Sequence, residues 1–173
     1  MTHSRHFVVF ATGALLSLGS CNQAQMPGTA LGDFATTGHI ATNSCGTTLG
    51  APDPYTFTVQ LSKDGTTLYW KYKDESNYVS GVLDSSNQAT ITTSQTSNVD
   101  GTDAGAGPCT MARTDSAVVK LDSATSPAAF TGSLTYSFAA ASGADCSDQL
   151  TSAGGTYQTL PCTISYTLTA TKN

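Results

Sequence analysis

The feature that most restricts this chain is a two-residue alternation on either side of an Asp-Gly pair. Tyr55, Phe57, Val59 and Leu61 alternate with Thr56, Thr58, Gln60 and Ser62. After Lys63-Asp64-Gly65, the residues Leu68, Trp70 and Tyr72 alternate with Tyr69, Lys71 and Lys73. Successive side chains of a strand point to opposite faces, so each run has one buried face and one wet one. Asp-Gly tolerates the positive φ that a tight hairpin turn demands. The two runs predict an antiparallel hairpin.

The same period recurs along the chain. Phe34, Thr36, Gly38 and Ile40 share a face of a first strand, and residues 78–84, 88–93 and 117–121 read as further short strands. In residues 130–139, Phe130, Leu134, Tyr136 and Phe138 alternate with hydroxyl side chains. In the last run, Leu160, Cys162, Ile164, Tyr166 and Leu168 face one way and Thr163, Ser165, Thr167 and Thr169 the other. Residues 74–77 and 85–87 are turns, and residues 94–108 and 140–155 read as long polar loops. Charged residues make up only 11% of the chain, against about 25% in ordinary domains. The 20 serines and 29 threonines therefore carry the solubility, and threonine's branched β-carbon favours strands. Eight strands without a convincing helix exclude parallel pairing, which needs long crossovers. The expectation is an all-β antiparallel meander forming one domain, residues 34–173, with a barrel favoured over a two-sheet sandwich because closure removes exposed edges.

The amino-terminal segment has a different character. Arg5 and two histidines precede an apolar run from Phe7 to Leu18, which is of signal-peptide length and too short to span a bilayer. The run ends in Leu18-Gly19-Ser20-Cys21, which resembles the lipobox of bacterial lipoproteins. That resemblance implies cleavage after residue 20, a diacylglyceryl group on the Cys21 thiol and an acylated (palmitate-type) amino terminus. Several acyl chains anchor a protein stably where one does not. Asn22 rather than Asp at the next position favours, by the same resemblance, the outer membrane of the cell envelope. Residues 21–33 lack periodicity and read as a flexible tether.

Assigning Cys21 to lipid leaves Cys45, Cys109, Cys146 and Cys162, an even set. No C-x-x-C pair occurs, so disulfides in an oxidising compartment are favoured over zinc or redox chemistry. Of the three possible pairings, the expected one ties Cys146 to Cys162 and Cys45 to Cys109.

The chain carries net charge −5 and no basic cluster, which argues against nucleic acid and leaves lipid as the means of membrane attachment. His39 is the one histidine after Cys21, and no G-x-S-x-G or H-E-x-x-H stretch accompanies it. A hydrolase using His39 is the least favoured function, and a solvent-facing strand histidine the plainer reading. Asp74 and Glu75 are adjacent in a turn, where carboxylates point into water rather than across a cleft. Residues 98–103 space oxygen ligands around Gly101 but depart from the calcium-loop pattern at Asp103, so no metal or other cofactor is expected. Trp70 and Tyr72 read as core, or as the lining of a ligand cavity if the barrel holds one.

The leader, the first strand with Gly38, the eight-strand meander and a disulfide near the last strand together resemble lipocalin-like barrels, although Ile40 stands where their Gly-x-Trp signature has Trp. The first expectation is a lipid-anchored, non-enzymatic envelope β-domain with a structural or interaction role. The alternative, which the lipocalin resemblance implies, is a carrier of a small apolar ligand.

Overall fold

The computed structural model describes residues 25–101 and 108–173. The leader, Cys21, Asn22 and Asp103 lie outside the described residues. The predicted alternations become eight strands: β1 (Thr29–Asn43), β2 (Tyr55–Asp64), β3 (Thr67–Tyr72), β4 (Val79–Val82), β5 (Gln88–Val99), β6 (Cys109–Leu121), β7 (Ala129–Ala140) and β8 (Cys162–Lys172). All pairings are antiparallel, in the order β4-β3-β2-β1-β8-β7-β6-β5. Two four-strand meanders, β1–β4 and β5–β8, thus meet through β1 and β8. The sheet curls into a nearly closed barrel with one unsealed seam, between β4 and β5.

The barrel has two unlike ends. At one end lie the β2–β3, β4–β5 and β6–β7 turns together with both strand termini of the domain, Thr29 opposite Lys63 and Thr171 opposite Ala129. Here the interior is solid. Phe34, Val59, Leu68, Val119 and Leu168 are fully buried, and the Phe130 ring lies 5.6 Å from Phe34 and 5.7 Å from Trp70. Each such side chain contributes about 1.5–3 kcal/mol by leaving water. At the other end lie the long loops and both disulfides, Cys45–Cys162 and Cys109–Cys146.

That disulfide pattern corrects the expected pairing. Cys45 follows β1 directly and Cys162 opens β8, and the register Asn43↔Ile164 sets them side by side. Cys109 opens β6, and β7 pairs with β6 up to Met111↔Ala140, so the next loop brings Cys146 back to Cys109. Strand limits also differ from expectation in β1, β5 and β6, the last expected over 117–121 and beginning at Cys109. β1 begins at Thr29, which takes residues 29–33 from the expected tether into the sheet. A register shift between Ala30 and Gly32, with Gly32 at φ +129°, interrupts the alternation there. The stretch 94–108 is not one long loop: β5 runs on to Val99 and pairs with β6 as far as Cys109. Ahead of β1, Pro27 accepts a 2.7 Å hydrogen bond from Ser62 Oγ, so the incoming chain lies on the outer face of β2. The loop after β7 contains two single 3-10 turns, Ser147–Gln149 and Thr151–Ala153.

The seam is pinched at the solid end. Leu83 and Ala89 form an isolated bridge, and a Cβ on Gly81 would overlap the Thr90 carbonyl, so β4 and β5 touch there because residue 81 has no side chain. The turn between them is held by Asp84, whose Oδ1 accepts from Ser86 N at 2.8 Å, Ser86 Oγ at 2.7 Å and Gln88 N at 2.9 Å. The Gln88 amide first, then the Ser86 hydroxyl, hold the Asp84 carboxyl below its ordinary value of 3.8.

Three outcomes follow from this geometry. Peptide mapping without reduction recovers Cys45 with Cys162 and Cys109 with Cys146. Chain entropy over separations of 117 and 37 residues makes Cys45→Ser cost about 5 kcal/mol and Cys109→Ser about 4 kcal/mol in denaturant unfolding. Because the folded-state pKa of Asp84 is depressed, its stabilisation is complete above the unfolded value and is lost as pH falls below it. Asp84→Ala therefore narrows the difference in melting temperature between pH 7 and the acid range and speeds amide exchange in residues 88–91.

Candidate functional site

Above the solid half, the barrel interior opens into a cavity of about 340 Å³. Its opening has a simple cause. β4 is 4 residues long and β5 is 12, so beyond Thr93 no described strand lies against β5 on that side. The wall there is the 73–78 turn, which brings Glu75 and Asn77 to the rim opposite Gln95.

β3 supplies the aromatic side of the cavity. Trp70 and Tyr72 are two residues apart and so share the inward face, with their rings 5.8 Å apart. Trp70 is 2% exposed. It is at once a core side chain, against Phe130, and part of the cavity lining together with Tyr72. Ile91, Ala117 and Leu134 complete the apolar floor, and Tyr55 and Tyr136 complete the ring wall.

β6 contributes what the alternation alone did not disclose. Its inward positions run Met111, Arg113, Asp115, Ala117, Val119, Leu121, so two consecutive inward positions are ionic. Arg113 Nε donates to Asp115 Oδ1 at 2.7 Å and Nη2 to Oδ2 at 2.8 Å, a bidentate pair. The guanidinium lies 4.7 Å from the Tyr136 ring centroid and 5.8 Å from that of Phe138. Hydrogen bonding to Asp115 raises the Arg113 pKa above its ordinary value. The guanidinium is held both by the Asp115 carboxylate and by ring faces.

The phenols respond to the same surroundings. Burial pushes the Tyr72 hydroxyl up to about 12, offset in part by its hydrogen bond with Tyr136, while Tyr55, Asp115 and Glu75 push it further up. Burial also drives the Tyr136 hydroxyl far above its ordinary value, with Tyr72 and Tyr55 adding to the effect. Both keep their protons at neutral pH, so they offer hydrogen bonds rather than charge.

The other candidates lie elsewhere. His39 follows the inward Gly38 and therefore faces out. Its Nδ1 sits 3.0 Å from Asp53 Oδ1, with the two side chains 67% and 43% exposed. Asn98 and Val99 belong to β5, Asn98 Oδ1 accepts from Thr110 Oγ1 at 2.9 Å, and the Asp100 carbonyl accepts from Gln149 Nε2 at 2.9 Å. Among the described residues no three His, Cys, Asp or Glu side chains are placed to hold a metal ion. Glu75 is exposed in its turn and also borders the cavity mouth. Arg113, Asp115 and Tyr136 were missed. Stepping back by twos from Leu121 reaches Asp115 and Arg113, and that was the signal available in the sequence. No family model, curated protein or solved structure matches the chain.

A raised phenol pKa stabilises the fold fully below the unfolded value of 10.0, and the effect is lost as pH rises toward about 12. Tyr72→Phe removes this ionisable group. The expected result is a shallower loss of melting temperature across pH 10 to 12 in the variant than in wild type, and one late-ionising phenol fewer in an ultraviolet titration of tyrosinate.

Proposed function

We propose that this protein is a lipid-anchored binding module of the bacterial cell envelope, tethered through Cys21 and holding a small molecule in its barrel. The observation that carries the binding reading is the inward Arg113–Asp115 pair beside the ring wall of an open cavity. A small eight-stranded barrel can fill its interior with side chains. Placing an ion pair there instead of apolar packing gains little stability and often costs some. Clefts that combine rings, hydrogen-bonding groups and perturbed titratable groups are binding sites by preference. A purely structural envelope domain has no need of that arrangement, so the geometry favours a binding role over the structural one.

The tether supports the same reading. Gln25 lies four residues after Cys21, and β1 begins at the solid end of the barrel. The cavity mouth is at the far end, on the order of 30 Å away for strands of this length and tilt. A lipid on Cys21 sets the solid end toward the bilayer and the mouth toward the aqueous phase, where a soluble ligand arrives. The two disulfides at the mouth end suit an oxidising compartment.

Two measurements test this proposal. Metabolic labelling with palmitate marks the wild type and not Cys21→Ala; an unlabelled wild type overturns the anchor. Native mass spectrometry of protein purified from its own host shows a small molecule retained by the wild type and lost from Thr93→Phe, which fills the mouth from the seam side. A wild type that carries nothing, and that binds nothing from a metabolite extract of the same cells, overturns the binding role.

A further inference from the structure

The charges around the cavity do not balance, and the imbalance selects the ligand. Arg113 is committed to Asp115 through two nitrogens, so that pair is neutral as a unit. Glu75 lines the mouth, and among the described residues it forms no ion pair. The nearest lysine in sequence is no counter-ion, since Lys73 Nζ reaches 3.4 Å to Asp33 on the outer face of the sheet. The mouth therefore carries excess negative charge.

The walls agree with that sign. The faces of tyrosine and tryptophan rings attract cations through their quadrupoles. This cavity has four such rings on its lining, Tyr55, Trp70, Tyr72 and Tyr136, and one of them already carries a guanidinium at 4.7 Å. Asp115 and Glu75 both act on the Tyr72 hydroxyl as negative neighbours, which places the unpaired carboxylate within electrostatic reach of the ring wall. A net charge of −5 on the whole chain draws cations toward it and repels anions.

From the unpaired Glu75 at the mouth of a tyrosine- and tryptophan-walled cavity, we infer that the ligand is a small organic cation, with its ammonium or guanidinium group held between Glu75 and the rings and its apolar part on the floor formed by Ile91, Ala117 and Leu134. This inference rests on the binding role proposed above. It replaces the apolar cargo expected from the lipocalin resemblance and turns away fatty acids and other carboxylates, whose charge would meet Glu75 without a free cation to receive it.

Trp70 is the single tryptophan of the chain and lines the cavity, so its fluorescence reports occupancy directly. The full chain is titrated at neutral pH with three probes that share a ring and differ in charge: 2-phenylethylammonium, 2-phenylethanol and phenylacetate. The expected order is the cation about tenfold tighter than the alcohol, which corresponds to about 1.4 kcal/mol, with phenylacetate weakest. Glu75→Gln brings the cation's affinity down to that of the alcohol. Equal affinities for cation and alcohol, a preference for phenylacetate, or a cation preference that survives Glu75→Gln each overturn the charge selection while leaving the cavity as a binding site. No response of Trp70 to any probe, together with empty protein by native mass spectrometry, removes the binding role itself.

Discussion

The pairing of β1 with β8 is the contact on which this architecture rests. Each four-strand meander is built from neighbours in sequence. The register from Phe34↔Lys172 to Asn43↔Ile164 joins the first strand to the last, and the Cys45–Cys162 bridge fastens it at the loop end. Once that seam is made, the sheet has only two edges left, β4 and β5, and its right-handed twist brings them face to face. The position of the gap, and so of the cavity mouth, follows from where the closure is.

Solid packing and the open cavity are divided between the two ends of the barrel. The solid end buries Phe34, Leu68, Val119 and Leu168, and the buried Thr36 hydroxyl among them donates to the Phe34 carbonyl at 3.3 Å. At the loop end the same strands present Arg113, Asp115 and the tyrosine hydroxyls to the interior, where packing of that kind is not available. The two cystines lie at this end and constrain the unfolded chain by about 4–5 kcal/mol each on the entropy model. Covalent links thus offset the apolar packing that the cavity gives up, and they hold the loops around the mouth in place.

The same division explains how much could be read from the residues. The hairpin from Tyr55 to Tyr72 was legible because one face is apolar throughout and Asp64-Gly65 marks its turn. The eight strands and their antiparallel order follow from such local signals. The second half of β5 and the first half of β6 were not legible, because Thr93, Gln95, Arg113 and Asp115 occupy inward positions and no apolar face remains to be seen. The residues that form the candidate site erase the pattern that would have located it. The disulfides were misread for another reason. Their partners are set by which strands become neighbours, and Cys45 meets Cys162 only through a closure 117 residues long. Glu75 is exposed, and the shortness of β4 brings its turn beside the opening, a placement that no local pattern records.

Incomplete closure also gives the barrel a property that a fully hydrogen-bonded ring lacks. β4 is held by its register with β3 and by one bridge to β5, Leu83↔Ala89, beside the contact at Gly81. A sealed barrel widens only by breaking a ladder along the whole length of a strand. Here β4 and β5 are joined by that bridge and the close contact at Gly81, so parting them leaves the seven strand ladders and both cystines intact. The circumference is therefore the coordinate along which the barrel has the fewest hydrogen bonds to break.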